Sequence, residues 1–173
     1  MSYRLLYLVI GLSFCGVSTY AQEKEITEEE VFEAFDDAFK KLGEGVHLTV
    51  DKSLYSSTLG GVYLSDNPRA TLMSKVKLGK LSSVEKSLAK ESKKGGIVVT
   101  KTGYVKKDSR NMFLQLGYRL DADGVKMNID KYVYQADDET LVYIIGSYIA
   151  EAKTYKEATE KAAFSAQYIK KSK

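Results

Sequence analysis

Hydrophobic and polar residues alternate through much of the second half of the chain, which predicts an antiparallel sheet there. Four segments have the pattern of consecutive strands, approximately residues 97–107, 112–121, 125–134 and 141–149. The stretches between them are short and rich in Asp, Asn and Gly, as turns between antiparallel neighbours are. The last segment is hydrophobic on both sides, so we expect it inside the sheet with both faces covered.

The alternation also predicts which residues share a face of this sheet. In the second of these strands, Met112 and Leu114 lie on one hydrophobic face. We expect Met127 and Ile129 of the next strand to continue that face beyond the Asp-Gly turn.

Three shorter strands are predicted earlier in the chain. Residues 46–50 alternate as a half-buried strand does, and residues 62–64 follow a pair of glycines as a second short strand. Residues 70–78 alternate with a basic outer side that carries Lys75 and Lys77.

Hydrophobic residues at helical spacing predict three helices, over residues 27–42, 83–92 and 154–169. Each is opened by a Ser or Thr that is followed three residues later by Glu, the pattern of a capping box. The order of helices and strands therefore predicts an α+β domain in which helices cover an antiparallel sheet.

This order of elements, from residue 46 to residue 169, resembles the PsbP-like superfamily and the related DcrB-type bacterial envelope proteins. The match consists of an early hairpin, a strand such as 70–78, a helix such as 83–92, and a meander followed by a closing helix. The resemblance implies an α/β/α sandwich with a mainly antiparallel sheet and a central short helix, to which the N-terminal helix is an addition. It also implies an accessory or assembly role, usually without catalysis.

The first twenty-one residues have the features of a secretory signal peptide. Arg4 precedes a hydrophobic run that ends in small residues and Ala21, after which the chain turns abruptly polar. The alternative is an uncleaved membrane anchor, but the run contains several small polar residues and barely reaches the length that spanning requires. We predict cleavage after Ala21 and a periplasmic or secreted protein, with residues 22–173 forming a single domain.

Cys15 raises the alternative of a lipoprotein, in which a lipidated cysteine becomes the N-terminus. The bulky Phe14 directly before it does not fit that signal. Removal of the leader would leave a chain without cysteine and with no transmembrane segment, which folds without disulfides in an oxidising compartment.

Composition excludes several function classes. The chain has 26 Lys and Arg against 23 Asp and Glu, a net charge of +3 that is too small for a nucleic-acid binder. With one Cys and one His, it lacks the residues for thiol nucleophiles, histidine triads or mixed Cys/His metal sites. Residues 121–124 resemble the start of a calcium loop without its other ligands, which favours a hairpin turn. We therefore predict no enzyme activity, and no catalytic, cofactor-binding or metal-binding residues.

Positive charge is concentrated between residues 75 and 94, which hold seven lysines and two glutamates. Lys75 and Lys77 of the strand and Lys86, Lys90 and Lys93 of the following helix are candidates for a surface that binds an acidic partner or an anionic envelope surface. The alternative is a solvated face that keeps the protein soluble.

Tyr132 and Tyr134 share a face of the third meander strand and are candidates for an aromatic partner-binding surface. Cross-strand packing beneath a helix would explain the same residues without a partner.

These observations favour an exported, non-enzymatic accessory protein that acts through protein contacts in the cell envelope. The alternative is a carrier that holds an apolar or amphipathic small molecule between sheet and helix, with Phe35 and Phe39 in its lining. A third possibility, a carboxylate-based hydrolase, requires two acidic side chains in one cleft, and the sequence identifies no such pair.

Overall fold

The computed structural model describes residues 44–59, 61–107 and 109–170, all within one compact unit that spans Phe39–Lys173. The predicted signal peptide and the predicted helix 27–42, with Phe35 and Phe39, lie outside the described residues. The described strands are β1 (Val46–His47), β2 (Ser57–Leu59), β3 (Val62–Asp66), β4 (Arg69–Leu78), β5 (Val98–Lys107), β6 (Arg110–Leu120), β7 (Lys126–Gln135), β8 (Thr140–Ile149) and β9 (Gln167–Tyr168), and the α-helices are α1 (Val84–Lys94) and α2 (Lys153–Ser165).

Seven of these strands form one antiparallel sheet in the order β2-β3-β4-β8-β7-β6-β5. The four predicted meander strands are confirmed, each bound lying within two residues of the prediction. β8 lies between β4 and β7, and its residues from Thr140 to Tyr148 are all buried. This confirms that the strand with two hydrophobic sides is covered on both.

Helix α2 packs against one face of the sheet, here called the α2 face. Gly146 of β8 lies directly beneath Thr159, because a Cβ atom at Gly146 would stand 2.2 Å from the Thr159 hydroxyl oxygen. The small residues Ala162, Ala163 and Ala166 are fully buried at the same contact. The sheet side of this core consists of Ala70, Leu72, Met112, Leu114, Tyr132, Tyr134, Val142, Ile144 and Tyr148.

Helix α1 packs against the opposite face, here called the α1 face. Its residues Val84 and Leu88 are fully buried. Ser92 bonds to Gln115 of β6, which is paired in register with Lys131 of β7 and so points to the same side of the sheet. The predicted α+β class is therefore confirmed, whereas the predicted three-helix arrangement is not, since its first helix lies outside the described residues.

The predicted sharing of a face between β6 and β7 is wrong. Met112 pairs with Tyr134 and Leu114 pairs with Tyr132, whereas Ile129 pairs with Gly117 on the opposite face. Both faces of β7 are covered and both carry hydrophobic residues, so hydrophobicity alone could not show which face continued from β6.

The ends of the domain also differ from the prediction. Helix α2 ends at Ser165 rather than continuing to Ile169, because residues 167 and 168 form β9, which pairs with β1. The predicted strand 46–50 is reduced to Val46–His47 in this small second sheet. Neither helix has a side-chain cap, so the expected capping boxes do not form. A 3-10 helix, Leu81–Ser83, leads directly into α1 instead.

Candidate functional site

The outer side of α1 is a lysine surface formed by Lys86, Lys90 and Lys93. The three residues are spaced by four and three positions, which places them on one side of the helix. All three are exposed, while the opposite side of the helix contributes the buried Val84 and Leu88. This α1 lysine surface agrees with the outward orientation that the helical spacing predicts.

No carboxylate within the described residues forms an ion pair with Lys86, Lys90 or Lys93. The helix does contain Glu91, but its carboxylate contacts Lys77 of β4, with 2.7 Å between the Lys77 Nζ and the Glu91 Oε1 atoms. Of the two glutamates in the helix, Glu91 is thus directed toward the sheet, whereas Glu85 is exposed in the first turn.

Lys75 and Lys77 do not join this surface, contrary to the prediction. Their Nζ atoms each lie 5.4 Å from the ring centroid of the buried Tyr143, on the α1 face of the sheet. The side of β4 that the sequence predicted to face solvent is instead the side on which Glu91 of α1 lies. The five candidate lysines form two groups on opposite sides of one helix, because Lys75 and Lys77 lie on the face of β4 toward which Glu91 of α1 is directed.

Lys131 of β7 joins Lys75 and Lys77 on the α1 face, and sequence analysis did not identify it. Its side chain is almost completely buried, the residue being 3% exposed. Its Nζ lies 3.5 Å from the Ser92 hydroxyl, which in turn donates to Gln115 Oε1 at 2.7 Å. The sequence did contain a signal for it, a lysine in the middle of a strand that is otherwise buried, because a lysine is rarely buried there without a partner. Lys75, Lys77, Lys131 and Glu91 are called the lysine cluster below.

The proton affinities of the lysine cluster reflect its burial. Burial, together with the like charge of Lys77, lowers the pKa of Lys75 to about 8, although Glu91 opposes this effect. Burial likewise lowers the pKa of Lys131. Burial acts to raise the pKa of Glu91, but the hydrogen bond from Lys77 and the charges of Lys75 and Lys77 outweigh it and hold that pKa below its ordinary value.

Tyr132 and Tyr134 do not form an exposed aromatic surface. Each is 4% exposed and packs in the hydrophobic core of the α2 face, where the Tyr132 ring meets Phe164 edge-on. The packing interpretation accounts for both residues, because a helix covers the face of β7 on which they lie.

A buried acid on the α2 face was also missed from the sequence. Asp130 is buried, and its Oδ2 atom accepts a hydrogen bond of 2.7 Å from the Tyr148 hydroxyl. Burial raises the pKa of Asp130 despite the Tyr148 hydrogen bond and the charge of Lys156, while Glu160 raises it further.

The remaining candidates of the sequence have structural explanations. The carboxylate of Asp121 accepts backbone N–H groups of Asp123 and Val125, which makes residues 121–124 the predicted hairpin turn. His47 is exposed on β1.

Among the described residues, no three His, Cys, Asp or Glu side chains are grouped as a metal site requires. No helix in the same part of the chain has the length and hydrophobicity to span a bilayer.

The fold resembles two solved structures. One is the solution structure of the cyanobacterial PsbP protein of Synechocystis, at 14% identity and a TM-score of 0.49, with 72% of this chain and 82% of that chain covered. The other is the crystal structure of LpqN of Mycobacterium tuberculosis, a protein involved in cell envelope biogenesis, at 11% identity and a TM-score of 0.47, with 72% and 83% covered. Both similarities concern the fold alone.

No family model and no curated protein sequence matches the chain.

Proposed function

We propose that this chain is an exported, non-enzymatic accessory protein of the cell envelope that binds an acidic surface of a protein partner through Lys86, Lys90 and Lys93. The observation that carries the proposal is the arrangement of α1. Its lysines lie exposed on one side without an ion pair in the described residues, while its Glu91 is held on the other side by Lys77.

An exposed lysine surface suits a partner that is recognised by charge. Exposed lysines contribute little to the stability of their own domain, since exposed ion pairs are typically worth under about 1 kcal/mol. Across an interface, the same charges accelerate encounter with an acidic surface and disfavour basic ones. Binding should therefore weaken as salt increases.

The location in the envelope is supported by the predicted signal peptide at residues 1–21. Mass spectrometry of the protein purified from its source tests this part of the proposal. We expect an N-terminus at Gln22, and an intact Met1 would contradict export through a cleaved leader.

Chemical cross-linking in the native envelope, followed by affinity purification of the tagged protein, tests the partner contact. The test variant carries Lys86→Glu, Lys90→Glu and Lys93→Glu. The matched control carries Lys52→Glu, Lys101→Glu and Lys153→Glu, which change the net charge equally at exposed positions away from the outer side of α1.

We expect a cross-linked acidic partner to be recovered with the wild-type and control proteins and lost with the α1 variant. Recovery from the wild type should fall as salt is raised from 0.05 to about 0.3 M during washing without cross-linker. Equal recovery with the α1 variant would contradict the proposal, and equal loss with the control would show a general effect of net charge.

A further inference from the structure

The lysine cluster holds more positive than negative charge in a half-buried position. Three amines, those of Lys75, Lys77 and Lys131, meet one carboxylate among the described residues, that of Glu91. Lys131 is the most deeply buried of the three, and Lys75 is partly buried beneath the helix. Burying ammonium groups is costly unless opposite charge and hydrogen-bond acceptors surround them.

The acceptors in contact with the cluster do not satisfy its donors. An ammonium group has three N–H donors. Glu91 accepts one from Lys77 at 2.7 Å, and the Ser92 hydroxyl accepts a long bond of 3.5 Å from Lys131. The Ser92 hydrogen is itself directed to Gln115 at 2.7 Å. Donors therefore converge on this position in excess of acceptors.

One side of the cluster is open to solvent. The side chains of Lys77 and Glu91 are 40% and 35% exposed, whereas Lys131 closes the inner end. The Nζ atoms of Lys75 and Lys77 each lie 5.4 Å from the ring centroid of the buried Tyr143. Solvent therefore reaches the cluster at Lys77 and Glu91, and a small ligand suits the buried Lys131 better than a macromolecular surface does.

We propose that the lysine cluster is a binding site for a small oxyanion, a phosphate or a carboxylate, which enters beside Lys77 and Glu91 and accepts hydrogen bonds from Lys75, Lys77 and Lys131. The oxyanion supplies both the missing negative charge and the missing acceptors. The charged and titratable groups that face it are those three lysines, Glu91 and Tyr143. This site is separate from the α1 lysine surface, which faces the other side of the helix.

Binding is tested by titrating the purified full chain with inorganic phosphate, and separately with succinate, while sodium chloride keeps the ionic strength constant. The side-chain resonances of the lysines are followed by NMR at pH 7. We expect saturable shifts at Lys75, Lys77 and Lys131 with at least one of the two anions, and no shift at Lys86. The two titrations distinguish a phosphate site from a carboxylate site.

Three variants locate the site. Lys75→Met should weaken binding by about tenfold or more, since a hydrogen bond between charged groups is worth at least this factor. Lys75→Arg should retain binding because it keeps the charge, and Lys86→Met should bind as the wild type does.

The absence of saturable shifts with both anions in the wild-type protein would overturn the proposal, as would unchanged affinity in Lys75→Met. If Lys75→Met does not fold, the wild-type titration and Lys75→Arg still decide the question. Shifts that spread equally over the exposed lysines would show general ion screening and would also contradict the site.

Discussion

The two faces of the central sheet are covered by helices of different chemistry. On the α2 face, alanines and tyrosines form a core in which Tyr148 donates to Asp130, whereas the buried hydroxyl of Tyr55 has no hydrogen-bond partner among the described residues. On the α1 face, Val84 and Leu88 are also buried, but Glu91 of the same helix meets the three lysines of the cluster. The first arrangement closes its face, whereas the second leaves charge in contact with solvent. The difference indicates that ligands and partners should be sought around α1.

The size of the side chains between each helix and the sheet determines how closely the two pack. Alanines on α2 and the missing Cβ atom of Gly146 allow near contact, and Thr159 satisfies its hydroxyl by donating to the backbone oxygen of Tyr155 at 2.8 Å. Beneath α1, long lysine side chains extend over Tyr143 and carry their ammonium groups toward the edge of the helix. Small residues thus favour a dry interface and lysines an accessible one.

The largest expected effect is on the α2 face. Gly146→Ala would place a Cβ atom 2.2 Å from the Thr159 hydroxyl oxygen, so we expect a loss of about 3 kcal/mol in the free energy of unfolding. Urea denaturation measures this loss. The double variant with Thr159→Ala should recover part of it, because the two nearest atoms are then removed. A loss in Gly146→Ala of under about 0.5 kcal/mol would contradict the close contact.

The next effect tests the buried acid of the same face. Tyr148→Phe removes the hydroxyl that donates to Asp130, and we expect a loss of about 2 kcal/mol because a buried carboxylate is left without this donor. The control is Tyr104→Phe, whose side chain is on the edge strand and whose residue is 54% exposed. If both variants are equally stable in urea denaturation, the Asp130 hydrogen bond does not contribute as described.

The third effect concerns pH and the α1 face. Burial lowers the pKa of Lys75 in the folded protein to about 8, whereas its ordinary value is 10.5. Between these pH values the unfolded chain binds more protons at this lysine than the folded protein does, so stability should rise with pH across that window.

Lys75→Met should remove this contribution. The measurement is the free energy of unfolding from pH 7 to 10.5 for both proteins, and the difference between the two curves isolates Lys75 from Lys131 and the tyrosines. If the free energies of unfolding of the wild type and Lys75→Met change with pH in parallel, Lys75 has the same pKa in the folded and unfolded states and the prediction is wrong.

The smallest effect is expected on the outer side of α1. Lys86→Ala should change the free energy of unfolding by less than about 0.5 kcal/mol, since Lys86 is exposed and has no ion pair in the described residues. Thermal or urea denaturation checks this value. A loss above about 1 kcal/mol would assign the lysine a structural role and would weaken its candidacy as a partner contact.

Local patterns predicted most of the sheet and the orientation of α1. Strands β5 to β8 and the outward position of Lys86, Lys90 and Lys93 follow from alternation and helical spacing. The prediction of an outer basic side of β4 was wrong because it required knowledge of the layer above the strand. The side of β4 that carries Lys75 and Lys77 is the side on which Glu91 of α1 lies.

By itself, the sequence determined strands β5 to β8 and the α1 lysine surface, because these depend on a period of two or about 3.6 residues along the chain. Only the tertiary structure decided the register of β6 on β7, the end of α2 at β9, and the meeting of Lys75, Lys77, Lys131 and Glu91. The physical reason is that both faces of a strand such as β7 are covered and carry hydrophobic residues, so its pattern does not show which helix lies on which face.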